Sequence, residues 1–91
     1  SELDQKARRL SVVQPRLTST LLRQAPATVV VIFIVDENGR VQDPKVQRTT
    51  NPSFDRSALA AIKQWKFEPA KVQGRSVSSR LRQSFSFENN T

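Results

Sequence analysis

The sequence predicts an α+β fold, a three-stranded antiparallel sheet packed on one main helix in the order α-β-β-α-β. Three observations carry that reading. Residues 28–35, Thr-Val-Val-Val-Ile-Phe-Ile-Val, form a β-branched run followed, after Asp36-Glu37, by Asn38-Gly39, a strong hairpin signal. Phe54, Ala58, Ala61, Ile62 and Trp65 recur at the spacing of one helix face. In residues 75–87 the odd positions Val77, Leu81, Phe85 and Phe87 are apolar, while Ser78, Arg80, Arg82, Ser84 and Ser86 between them are polar, the two-residue period of a half-buried strand.

Taken in order, residues 1–26 read as an N-terminal extension with short helical segments. One is expected around residues 4–10. Pro15 interrupts it, and Leu17, Leu21 and Leu22 suit a further turn that starts near Thr18 or Ser19 and stops at Pro26. The domain proper is expected over 27–88, with residues 89–91 a frayed tail. Because residues 29–35 are apolar at every position, the first strand should be central and covered on both faces, its even positions by residues 17–22. Asn38 and Gly39 would both take positive φ in a type I′ turn. The return strand, residues 40–50, contains Pro44, which cannot donate to a ladder and so marks an edge or a bulge. Asn51-Pro52-Ser53 ends it. On the helix, Asp55 suits the positive end of the macrodipole and Lys63 and Lys66 the negative end. Trp65 should close the helix onto the sheet, Phe67 continue inward and Pro69 halt pairing. Pro69 and Gly74 then bracket a turn before a single last strand. The core expected from these periodicities is Trp65, Phe54, Ile62, Val31, Phe33, Leu81 and Phe85.

Composition narrows the function. Ninety-one residues make one small domain, and histidine, cysteine, methionine and tyrosine are all absent. Thiolate and imidazole metal sites, disulfides and His-activated nucleophiles are thereby excluded. Asp36, Glu37 and Asp43 surround the hairpin turn but lack the spacing and closing glutamate of a calcium loop, and nothing there would raise a carboxyl pKa for acid–base work. Ser78, Ser79, Ser84 and Ser86 have no base to activate them and read as solvent-facing strand serines. No catalytic residue, metal or cofactor is expected. A net charge of +7 and the acid-free stretch carrying Lys71, Arg75, Arg80 and Arg82 point to an acidic partner or to a solvated face. The longest apolar run is too short to span a membrane. The chain opens on Ser1 and reads as a piece of a longer protein.

From the first strand to Phe87 the chain resembles the C-terminal domain of the TonB family, the energy transducers of Gram-negative outer-membrane import. The residues that carry the likeness are Val35-Asp36-Glu37-Asn38-Gly39-Arg40-Val41, then Phe54-Asp55-Arg56-Ser57-Ala58-Leu59, then Trp65-Lys66-Phe67-Glu68-Pro69-Ala70 and Gly74. Gln14-Pro15 stands where family members usually carry Tyr-Pro, and Ala27 where a glycine is usual. The resemblance implies a periplasmic domain, anchored through a missing N-terminal helix in the inner membrane, with an ExbB–ExbD complex beside it. It implies that the TonB box of an outer-membrane receptor adds as a strand beside the last strand, and that force drawn from the proton-motive force then reaches the receptor for import of nutrients such as siderophores. The partner-binding residues would be Ser76, Val77, Ser78, Ser79, Arg80, Leu81, Arg82, Gln83, Ser84, Phe85 and Ser86, with Gln14 and Pro15 from the Tyr-Pro region; Gly39, Trp65, Phe67 and Pro69 would be structural. A long edge strand agrees with this on physical grounds, since its unpaired N–H and C=O groups accept another strand, whether a receptor segment or a second copy in a homodimer. Two other readings remain open from residues alone: the same module in another envelope protein, such as a peptidase or sensor, and a small basic nucleic-acid-binding domain. The family resemblance favours no nucleic acid.

Overall fold

At the centre of the molecule lies β2 (Ala27–Val35), paired antiparallel on one side with β3 (Val41–Thr49) and on the other with β7 (Ser79–Phe87). The computed structural model describes residues 4–88, so the tail expected to fray, 89–91, lies outside the described residues. The β2–β7 register runs unbroken from Ala27↔Phe87 to Val35↔Ser79. The β2–β3 register slips twice, between Val30 and Val31 and between Ile32 and Ile34. The second slip coincides with Asp43, held at φ 49°, and with Pro44, which has no N–H to offer. Strand β3 is therefore both an edge and bulged.

The hairpin turn differs from the expected type I′. Gly39 has φ 81°, but Asn38 is not in the left-handed region. The Gly39 N–H donates to the Asp36 carbonyl, and the Asp36 carboxylate accepts the N–H groups of Asn38 and Arg40 and the side-chain amide of Gln42. The aspartate thus satisfies the loop backbone, and glycine is needed only at the bulge that follows the turn. A second constraint also requires glycine. The Gly39 carbonyl accepts the Phe67 N–H at 2.9 Å, and a Cβ at Gly39 would lie 1.9 Å from the Phe67 carbonyl oxygen. The hairpin tip is seated directly on β4 (Lys66–Glu68).

Between β3 and β4 a 3₁₀ turn, Pro52–Phe54, leads into α2 (Asp55–Ile62), with Asn51 accepting the Ser53 N–H at its start. The helix ends at Ile62, so Trp65 stands beyond it after a turn at Lys63-Gln64, and not on it as expected. Lys66 likewise belongs to β4 and does not stand at the helix terminus. The reason is a change of period: Trp65 and Phe67, two apart, are both buried, which a strand achieves and a helix does not.

The expected single strand over residues 75–87 is two strands. β5 (Ala70–Val72) turns at Gln73-Gly74 into β6 (Arg75–Val77), whose partners are Ala70, Lys71 and Val72; only after Ser78 does the chain join β2 as β7. Pro69 separates β4 from β5, and the turn is confined to Gln73-Gly74, both at positive φ. The helix expected at residues 4–10 is extended instead. β1 (Arg8–Ser11) pairs antiparallel with β4, continuing backbone bonds between Gln5 and Lys71. A short isolated helix is marginal in water, whereas the open edge of β4 supplies ready hydrogen-bond partners. Thr18 caps α1 (Ser19–Leu22) through its hydroxyl, which accepts the Leu21 N–H.

The core lies between the sheet's inner face and α2. Of the expected core, Trp65, Phe54, Ile62, Val31, Phe33 and Phe85 are buried, while Leu81 is half-buried. The other face of β2 is not covered as expected. Val30 is buried and Ile34 half-buried, but Ile32 is 36% exposed, and Leu17 and Leu21 pack against the inner cluster with the odd-numbered residues.

Two substitutions test this packing. Trp65→Ala removes a buried indole and is expected to cost about 3–5 kcal/mol in urea unfolding; a loss under about 1 kcal/mol would place the indole outside the core. Gly39→Ala combines positive φ with a backbone clash and is expected to cost at least about 2 kcal/mol, whereas Gly74→Ala, with nothing within 4 Å of its Cβ, should cost about 1.

Candidate functional site

Strand β7 forms one edge of the β3-β2-β7 sheet, and its outer side has no strand partner among the described residues. Its inner side is fixed by aromatic contacts. Phe85 meets the Trp65 ring edge-on at 5.6 Å between centroids, and Phe87 lies 4.8 Å from Phe54. Alternate residues Arg80, Arg82, Ser84 and Ser86 are exposed, and Ser79, Leu81 and Gln83 are half-buried. A rigid strand thus presents unpaired backbone groups to solvent.

Along the second half of β7 that edge is one wall of a groove of about 490 Å³. Gln83, Ser84, Phe85 and Ser86 line it on one side, Gln14 and Pro15 with Val12, Leu17 and Leu22 on the other, and Trp65 lies between. The opposite wall is an irregular segment that Trp65 holds in place: its indole N–H donates to the Val13 carbonyl at 2.9 Å, and the Arg9 guanidinium sits 6.0 Å from its ring centroid. Further along, Arg8 and Gln5 both donate to the Glu68 carboxylate.

Of the residues expected to bind a partner, Gln14, Pro15, Gln83, Ser84, Phe85 and Ser86 meet in this groove, and Ser79, Arg80, Leu81 and Arg82 lie further along the same strand. Ser76 and Val77 are not, because they pair with Lys71 and Ala70 in the β5–β6 hairpin, and Ser78 is the break between strands. Val12 and Leu22, 46% and 40% exposed, line the groove and were not expected to; Leu22 was expected, with residues 17–22, to cover β2, and Val12 is an apolar residue to which the periodicities give no face. Gly39, Phe67 and Pro69 lie away from the groove and act in the fold. The hairpin carboxylates do not gather: among the described residues no group of three His, Cys, Asp or Glu side chains is placed to hold a metal. Hydrogen bonding to the Arg40 N–H, and then to Gln42, holds the Asp36 carboxyl below its ordinary pKa.

Residues 21–88 match the family model for the Gram-negative bacterial TonB protein C-terminal region. The chain belongs to this family. Two curated relatives, each named Protein TonB and each from a strain of Xanthomonas campestris pv. campestris, are 35% identical over 60 residues, which is 65% of this chain and 27% of theirs. The chain thus spans about a quarter of the length of the curated relatives it matches. The solution NMR structure of the Pseudomonas aeruginosa TonB C-terminal domain superposes over 100% of this chain and 98% of its own with a TM-score of 0.79 at 24% identity, which establishes a shared α+β fold.

In this TonB C-terminal domain the pairing of β1 with β4 includes a titratable contact, the Arg8–Glu68 ion pair. The Glu68 carboxyl is held below its ordinary pKa, chiefly by the hydrogen bond from Arg8. A carboxyl whose pKa is lowered by folding contributes stability above its unfolded pKa, and that contribution disappears as pH falls through the folded value. Amide resonances of β1 should therefore begin to lose their dispersed shifts below about pH 4, before the β2–β7 ladder does. Glu68→Gln should flatten that dependence. Equal acid sensitivity in the two proteins would assign the change to another group.

Proposed function

We propose that this chain is the periplasmic, receptor-engaging domain of a non-enzymatic TonB-type energy transducer anchored in the inner membrane. The observation that carries this reading is the unpaired edge of β7 beside a groove walled by Gln14 and Pro15. An extended segment of an outer-membrane receptor, its TonB box, would lie along Ser79–Phe87 as a further strand. Main-chain hydrogen bonds would supply the affinity and side chains in the groove the register. Such pairing also suits force transmission. Hydrogen bonds in an antiparallel ladder run across the strand direction, so a pull along the added strand loads many of them at once. The ExbB–ExbD complex would act through the longer protein's other parts, and import of siderophores or other nutrients would be the outcome.

The test is a peptide copying the plug-proximal segment of a cognate receptor. Amide shifts should concentrate on 79–88 and on residues 12–17 and spare the hairpin tip. Methylating alternate peptide nitrogens should abolish binding, because each removes a donor that strand pairing requires. Shifts that map instead to the exposed side of α2, or binding unaffected by methylation, would end the strand-addition reading.

The same edge is open to a second copy, and Arg80 and Arg82 are modest protection against it. A β7-paired homodimer should form at high concentration and be dissociated by the receptor peptide, as followed by sedimentation velocity. A dimer indifferent to the peptide would lie elsewhere on the molecule.

A further inference from the structure

We propose that the outer face of the sheet is a second docking surface, and that it takes an acidic segment of a partner protein carrying an apolar side chain bracketed by carboxylates. The registers define this face row by row. Lys45, Ile32 and Arg82 lie side by side across the three strands, as do Arg48, Val30 and Ser84, and Ile34 stands beside Arg80. An apolar spine along the central strand is thus flanked on both neighbouring strands by cations. Around Ile32 and Ile34 the surface is concave, a groove of about 570 Å³ whose rims include Lys45, Arg80 and Arg82.

Three observations choose the occupant. First, the cations are uncompensated: Arg8–Glu68 is the only ion pair among the described residues, and Asp43, the one acid in the groove, lies in no ion pair there. Second, the apolar surface is recessed between cationic rims. A membrane surface binds side chains that protrude into it, whereas a recessed isoleucine accepts a side chain that protrudes from the partner. Third, all five phenylalanines and the tryptophan are buried, so no aromatic platform is available for nucleic-acid bases. Strands about 4.8 Å apart place the backbones of Lys45 and Arg82 roughly 10 Å from one another. In an extended peptide, residues four apart are separated by roughly 13 Å, so two carboxylates flanking a central leucine at i−2 and i+2 can reach both cations while the leucine meets Ile32. The surface is separate from the β7 edge: it is read by side chains and needs no main-chain pairing.

The probe is the capped peptide acetyl-Gly-Glu-Ser-Leu-Ser-Glu-Gly-amide, followed by the methyl resonances of Ile32 and Ile34. Both should shift, and the paired change Lys45→Glu with Arg82→Glu should raise Kd roughly tenfold or more. Ile32→Ser, a substitution at an exposed position that leaves the core intact, should weaken binding severalfold. Methylating the two serine nitrogens of the peptide should leave Kd unchanged, which separates this surface from strand addition at β7. The proposal fails if the isoleucine methyls do not move, if the charge-reversed protein binds as tightly as the original, or if methylation abolishes binding. It also fails if phosphatidylglycerol vesicles or duplex DNA shift the same methyls more strongly than the peptide does, since either would make the face a surface for a different class of partner.

Discussion

The indole of Trp65 holds together parts of the chain that are otherwise far apart in sequence. Its rings are buried against Phe85 on the edge strand and Phe67 on β4, and its one polar atom reaches the Val13 carbonyl. A buried indole N–H without a partner would be costly, so the bond orders the N-terminal segment as well as satisfying the ring. The two walls of the edge groove therefore meet on one side chain. The aromatic body fixes β7 from within, the N–H fixes residues 12–17 from across, and the space between them is what remains. A smaller residue at this position would not simply leave a cavity; it would release the relation between the walls.

What was legible in the sequence follows from how local the signals were. The β-branched run over residues 28–35, the presence of a turn at Asn38-Gly39 and the alternation from Ser79 to Phe87 are each written within a few positions, and the β3-β2-β7 sheet follows from them, although the turn's type and the break at Ser78 do not. The parts that were not legible depend on partners distant in the chain. Residues 8–11 have no strand pattern of their own and become β1 only because β4 offers an edge. Ser78 divides what reads as one strand because Ala70, Val72 and Val77 have a ladder of their own to complete. The exposed Ile32 was invisible for the opposite reason: a continuous apolar run looks alike whether one face or both are covered. The groove was half legible, since its β7 side could be read as an edge strand and Gln14-Pro15 came from family resemblance, while Val12 and Leu22 acquire meaning only when the N-terminal segment is folded back.

Strand β7 divides its work between backbone and side chains. Its free main-chain edge is nearly indifferent to sequence, so any discrimination among strands added there would come from the groove walls. Its outward arginines belong to the sheet face, where a partner would be read by charge and shape without backbone pairing. One strand can in this way take part in two kinds of recognition without either competing for the same atoms, because the edge and the face of a sheet point in perpendicular directions.

The chain's two glycine turns, so similar in sequence, differ in what can be done to them. Gly39 is wedged against the Phe67 carbonyl, whereas Gly74 has open space around its missing Cβ. Surface hairpins ordinarily accept length changes. At residues 36–40, however, an inserted residue would lift the tip away from the strand that seats it, so this loop's length is as constrained as a core volume. At Gln73-Gly74 nothing in the fold measures the loop. That turn is the natural site for an inserted epitope, a fluorophore or a tether, one that reports on the domain without disturbing either the groove or the sheet face.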